Sequence, residues 1–167
     1  MIKEKLELKE GVTFFDSPIG IIEIKSNDGM IVSVKFVDEK LYMENENEVL
    51  VESKKQLKEY FFGERKIFTL PIKIDGTEFR KKVWNTLLKI PYGKTCSYKD
   101  IAIKIGNEKA SRAVGGANNK NKIAIIIPCH RVIGSNGKMV GYEGGMWRKE
   151  WLLKHESKIN SKKEKEY

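Results

Sequence analysis

Pro128-Cys129-His130-Arg131-Val132 puts more chemistry into fewer residues than any other part of this chain. A cysteine is a nucleophile only as the thiolate, and a neighbouring imidazole or a positive field can lower its pKa from about 8.5. The run 123–127 before it is apolar and β-branched, so it reads as a buried strand stopped by Pro128. The thiol is then expected on a rigid element close to a surface. In a strand that simply continued, Cys129 and His130 would face opposite ways. They can act together only if the backbone turns after Pro128 or a water bridges them. Glu156, in the last turn of a helix expected over 146–156, is the carboxylate best able to orient His130 as the third member of a relay. On the tripeptide alone a buried structural cysteine is the simpler reading.

The elements that must position these groups fall into two unlike halves. In residues 1–75, a meander of two or three strands is expected around the turns Ser17-Pro18-Ile19-Gly20 and Asn27-Asp28-Gly29. An acidic loop at 44–48 and a helix over 49–62, ended by Gly63, follow. Residues 70–74 read as an extended linker. In residues 76–156, Thr77 caps a helix with the stripe Phe79, Val83, Trp84, Leu87 and Leu88, ended by Pro91-Tyr92-Gly93. Ser97 and Asp100 form a capping box for a second helix. After Gly106, Asn107 is a cap for a third helix over 109–118, so the pair reads as a helix-turn-helix. Gly115-Gly116 within that third helix leaves a small-residue face that lets another surface approach closely. The final helix is expected to pack through Trp147, Trp151, Leu152 and His155. The polar tail 157–167 is expected to be disordered.

Charge separates the halves. Residues 1–75 carry 12 Lys/Arg against 15 Asp/Glu, and residues 76–155 carry 16 against 5. A strongly basic half points to a polyanion, because phosphate contacts release counterions. A solvated lysine-rich surface explains the charge equally well by itself. The charged N-terminus has no apolar core of a signal peptide, and no stretch approaches a membrane span. The cytoplasm is therefore the expected compartment, with Cys96 and Cys129 reduced. Two histidines and two cysteines without a CxxC pair do not make a zinc site, and no metal or cofactor is expected. Cys96 reads as a bystander.

Four strings together decide between these readings: Arg112-Ala-Val-Gly-Gly-Ala, the PCHRV segment, Gly141-Tyr-Glu-Gly-Gly, and Lys149-Glu-Trp-Leu-Leu-Lys-His-Glu156. In this order and register the chain resembles the O-6-alkylguanine-DNA alkyltransferase family across residues 77–156. Ser17-Pro18-Ile19-Gly20 is similar to that family's first domain. The resemblance implies an α+β protein: a small N-terminal RNase H-like α/β domain (1–75), a mostly helical C-terminal domain with a helix-turn-helix (76–156), and the tail. It implies irreversible, single-use transfer of a methyl or alkyl group from O-6-alkylguanine, with O-4-methylthymine as a further substrate, to the protein's own cysteine. It implies double-stranded DNA carrying the lesion as the partner, and a monomer.

The resemblance also implies roles. Cys129 is the acceptor, activated by His130 and Glu156 through a water, with Asn121 bracing the surrounding segments. Tyr142 donates to the purine and helps protonate the leaving guanine. Tyr98 turns the target nucleotide by crowding its 3′ phosphate, and Arg112 fills the gap in the base stack. Ala110, Ser111, Ala113, Gly115 and Ser135 complete the DNA-facing set. Backbone groups at Cys129 and Val132, with the Glu143 and Gly144 loop, read the base edge. Two positions depart from some relatives: Glu143 stands for serine and Ala124 for proline. Against this reading stand a non-catalytic lesion-binding protein, in which the cysteine is replaced, and a helix-turn-helix regulator with an inert thiol. A cysteine protease lacks a cleft signature.

Overall fold

The computed structural model describes residues 10–165 of the chain. Two compact units meet between Lys73 and Ile74. In the first, β1 (Glu10–Ser17), β2 (Gly20–Asn27) and β3 (Met30–Val37) form an antiparallel meander in the order β1-β2-β3. Asp28 and Gly29 both take positive φ, 52° and 74°, as a two-residue hairpin with the twist of these strands requires. Period-two alternation buries Ile22, Ile24 and Val34, and helix α1 (Glu48–Phe61) supplies Leu50, Leu57 and Tyr60 to the core. Asn47 caps that helix by accepting from Leu50 N–H at 3.1 Å.

Two expectations change in this unit. Glu48 belongs to the first turn of α1 rather than to a loop, where a carboxylate meets the positive end of the helix dipole. The 70–74 segment is not a free linker. Ile72 pairs in parallel with Ile31, with Ile31 N–H donating to Pro71 O at 2.8 Å and Lys73 N–H to Ile31 O at 2.9 Å.

The second unit is helical. Thr77 caps α2 (Glu78–Leu87), whose Val83, Trp84 and Leu87 are buried. Leu88 falls just past the last turn and is exposed. The Trp84 indole N–H donates to Ala117 O at 2.8 Å and ties α2 to α4 (Ser111–Asn119). Between them lies α3 (Tyr98–Lys104), opened by the expected Ser97/Asp100 capping box. Helices α3 and α4 form the helix-turn-helix. Its second helix starts at Ser111 after Ala110, without a side-chain cap; Asn107 instead gives its carbonyl to Ala110 N–H in a separate turn.

The 123–127 run is not a strand. It coils as a buried turn, with Ile127 N–H donating to Ile123 O at 3.0 Å and Ile125 at φ 69°. A β-branched residue at positive φ costs about 1–3 kcal/mol, so the surroundings must hold it there. The next residues, Cys129–Arg131, form one 3-10 turn that runs into β5 (Val132–Ile133). Strand β5 pairs in parallel with β4 (Cys96–Ser97), so the start of the helix-turn-helix is laced to the end of the cysteine turn.

Helix α5 spans Met146–Lys165, continuing two turns past Glu156 where a disordered tail was expected. Residues 166 and 167 lie outside the described residues. Trp147 is 56% exposed, so it does not pack as expected. The buried face is made instead by Lys149, Leu152 and Glu156, while Trp151 stacks on His155.

Candidate active site

The turn after Pro128 decides the geometry. A 3-10 turn carries Cys129, His130 and Arg131 round a tight arc, so none of the three follows strand alternation and all three are buried. Cys129 is only 5% exposed, deeper than a residue near a surface. Asn121 braces the approach: its amide donates to Ile127 O at 2.9 Å and Ile123 O at 3.3 Å, and its carbonyl accepts from Ile123 N–H at 3.0 Å. One side chain thus takes three backbone bonds at the two ends of the coiled 123–127 run. Asn118 donates to Cys129 O at 3.2 Å from the end of α4.

His130 Nε2 lies 2.7 Å from Glu156 Oε2, both groups fully enclosed. Arg131 grips the same carboxylate in a two-pronged pair, Nε to Oε1 at 2.8 Å and Nη2 to Oε2 at 3.1 Å, and donates from Nη1 to Ile90 O. Gly93 N–H also donates to Oε1, at 3.3 Å. Burial by itself would raise the Glu156 pKa, but the His130 and Arg131 partners outweigh it and hold the carboxyl well below its usual range. An ionised Glu156 requires a proton on Nε2, which leaves the Nδ1 lone pair of a neutral ring as the basic site. Nδ1 is buried and meets no protein partner.

Burial pushes the Cys129 thiol up to about 11, against the Asn121 amide and the Lys149 charge, which both favour the thiolate. The resting sulfur therefore carries its proton at neutral pH, and it becomes a strong nucleophile only when a base takes that proton during reaction. Tyr142 sits on the same side of the chemistry. Its hydroxyl is buried without a protein partner, and burial, then the charge of Cys129, raises its pKa well above 10.

The loop beyond the cysteine is held from two helices. Lys149 of α5, fully buried, donates to Val140 O at 3.1 Å and Gly141 O at 3.3 Å. Burial lowers its pKa to about 8. Tyr98 of α3 donates its hydroxyl proton to the same Val140 O at 2.6 Å. Arg148 reaches back to Gly144 O at 2.8 Å.

An open cavity of about 330 Å³ gathers Tyr98, Ser111, Arg112, Gly115 and Ser135, five of the residues predicted to face DNA. Ala110 does not join them: as the residue before α4 it is buried. Ala113 is exposed on α4 outside the cavity wall. A Cβ on Gly116 would meet open space. Val132 is buried in β5, Glu143 is exposed and Gly144 is half-buried. Among the described residues no group of three or more His, Cys, Asp or Glu could hold a metal ion, and no helix is long and apolar enough to cross a membrane.

Sequence reasoning missed Arg131 and Lys149. Arg131 was visible only as a member of the PCHRV string. Lys149 lies seven residues before Glu156, two helical turns, so period 3.6 alone puts it on the carboxylate's face.

A cysteine, a histidine and a carboxylate enclosed in a basic helix-turn-helix unit, with a strand-and-helix unit before it, define a nucleophilic protein suited to a polyanionic partner. Residues 78–158 match the 6-O-methylguanine DNA methyltransferase DNA binding domain, and residues 12–74 match the ribonuclease-like domain of the same proteins. The chain belongs to the 6-O-methylguanine DNA methyltransferase family. It is 51% identical over 149 residues to the methylated-DNA–protein-cysteine methyltransferase of Methanosarcina acetivorans, covering 85% of this chain and 95% of that one. It is 45% identical over 141 residues to the constitutive enzyme of that name in Bacillus subtilis, covering 79% and 86%. The crystal structure of Mycobacterium tuberculosis O6-methylguanine methyltransferase superposes with a TM-score of 0.82 at 39% identity, covering 90% of this chain and 94% of that one. The structure of Mycobacterium tuberculosis OGT in complex with DNA gives 0.81 at 40%, covering 87% and 92%.

Proposed function

We propose that this protein repairs duplex DNA by transferring a methyl or other alkyl group from the O-6 oxygen of guanine to Cys129, once per molecule. The observation that carries the reading is the buried Cys129 beside His130, whose Nε2 is tied to the ionised Glu156, leaving Nδ1 as a base. Because the thiol rests protonated, its proton passes over one water to His130 Nδ1 as the sulfur attacks. The sulfur–carbon bond forms while the methyl–oxygen bond breaks in line. The electron pair leaves on the purine, which takes up one proton, assisted by the Tyr142 hydroxyl. In the balance the thiol hydrogen is exchanged for methyl, and the guanine is restored. A thioether is not readily reversed, so each chain acts once.

The O-6 position lies inside the duplex, and the base must leave the stack at a cost of a few kcal/mol. Exposed Arg112 fills the gap, Tyr98 crowds the 3′ phosphate, and the open face at Gly116 lets α4 approach the backbone. Ser111, Gly115 and Ser135 line the same cavity. Backbone groups at Cys129 and Val132 and the Glu143–Gly144 loop read the base edge. The excess of 11 positive charges over residues 76–155 supplies the salt-dependent part of affinity. In this reading the protein works as a monomer in the cytoplasm, a compartment that keeps thiols such as Cys96 and Cys129 reduced.

The test mixes the protein with duplex DNA containing O-6-methylguanine, digests it and weighs the peptide carrying Cys129. A gain of one methyl group in wild type and none in Cys129→Ala is expected. No gain, or an equal gain in the variant, overturns the reading.

A further inference from the structure

Helix α5 does not stop where its carboxylate sits. Lys149, Leu152, Glu156 and Asn160 follow one another at spacings of three, four and four, so the stripe that delivers Glu156 continues one turn to Asn160. From there the Asn160 amide donates to Tyr92 O at 3.0 Å, across 68 positions of sequence. The residue after Tyr92 is Gly93, whose N–H donates to Glu156 Oε1. Gly93 has φ 76°, which favours glycine, and a Cβ there would overlap the Asn160 amide and displace it.

The 90–93 turn is therefore pinned from both sides. Arg131 Nη1 holds Ile90 O at 2.8 Å and its guanidinium lies 5.6 Å from the Tyr92 ring centre. Asn160 holds Tyr92 O, and Gly93 closes on the carboxylate. At 3.3 Å the Gly93 bond is already beyond the usual 2.7–3.2 Å span for such pairs, so a small shift of the turn removes it.

We propose that Asn160 is a positioning residue for the His130–Glu156 pair, acting through the 90–93 turn to keep the Gly93 N–H on the carboxylate. The polar segment beyond Glu156 is then part of the support of the reacting centre. The inference rests on the reading of His130 and Glu156 as a proton relay. A carboxylate with one donor fewer presents its charge differently to the imidazole, so the pH profile of the pair reports on Asn160. The ionisable groups that face Glu156 are His130, Arg131, Tyr92 and Tyr142.

The experiment compares the full chain with Asn160→Ala, Asn160→Asp, which keeps the shape but loses the donor, and Asn160→Gln, which keeps a donor. Two readouts are taken: the titration of the His130 ring nitrogens by NMR, and single-turnover methyl transfer against pH. Ala and Asp are expected to displace the His130 NMR titration curve and the pH profile of transfer from those of wild type. They should slow transfer near pH 7 by roughly threefold to tenfold, the effect of one hydrogen bond, with duplex affinity unchanged. Gln is expected to recover most of the rate. An unmoved His130 titration in both Ala and Asp, or Gln as impaired as Ala, overturns the proposal. If wild type takes no methyl group, it is the transfer reading that fails, and the NMR titration still decides the role of Asn160.

Discussion

His130 and Glu156 stand 26 positions apart in the chain and meet at 2.7 Å, with side chains no more than 1% exposed. The contact joins a 3-10 turn to a helix and fixes which ring nitrogen carries the proton. Glu156→Gln keeps the shape but removes the charge that demands a proton on Nε2. We expect methyl transfer to fall by roughly 10²–10⁴-fold, the range for loss of positioned acid–base help. Single-turnover rates on methylated duplex, with binding measured separately, check it. A loss confined to binding would remove Glu156 from the relay.

The same carboxylate sets the acid limit of stability. Its folded pKa lies below the ordinary 4.5, so the folded state binds fewer protons there than the unfolded chain does. The stabilisation is complete above about pH 4.5 and is lost as pH falls through that value towards the folded pKa. Melting temperatures of wild type should drop steeply below that point, while those of Glu156→Gln should fall less steeply. Parallel curves would show that other carboxylates control the acid transition.

Arg131→Met strips two hydrogen bonds from Glu156 and one from Ile90 O, leaving the buried carboxylate with His130 and Gly93. Breaking a buried pair from one side costs about 3–5 kcal/mol. Urea unfolding should show a destabilisation of that size. A change under 1 kcal/mol would mean that the guanidinium contributes little beyond its own desolvation.

Lys149 behaves differently, because carbonyl oxygens rather than a carboxylate receive it. Lys149→Met loses those bonds but also the cost of burying a charge, so its stability should fall less than that of Arg131→Met. Its charge favours the Cys129 thiolate. Trapping of Cys129 by a small alkylating reagent should therefore require a higher pH in the variant. An unchanged trapping profile would limit Lys149 to holding the 140–141 backbone.

Arg112 is exposed on α4 and touches no part of the cysteine turn in the cavity it lines. Arg112→Ala should slow repair of a duplex lesion by at least tenfold while leaving reaction with a free alkylated guanine base near wild type, because only the duplex has a gap to fill. Equal losses on both substrates would argue against the gap-filling role.

Much of the site is legible in residues 128–156 because the signals are short-range. The capping box at Ser97 and Asp100, the cap at Thr77 and the helix-turn-helix follow from neighbours within four positions. The 123–127 run misleads because β-branched composition describes burial, not conformation: the Asn121 side chain takes backbone bonds at Ile123 and Ile127, and the chain between them turns. The tail misleads because its polarity hides Asn160, whose amide donates to a carbonyl 68 residues away.

The sequence by itself determined that the half holding Cys129, His130 and Glu156 is basic, and where the helices capped by Thr77 and by the Ser97/Asp100 box begin. Residue type, charge and helical period are local properties, so they survive without a fold. Only the tertiary structure decided that the chain turns after Pro128, that Arg131 and Gly93 share Glu156 with His130, and that the thiol is buried. Those outcomes depend on burial and on partners brought together from distant segments. Desolvation and hydrogen bonding act at contact distance, and contact is what packing supplies.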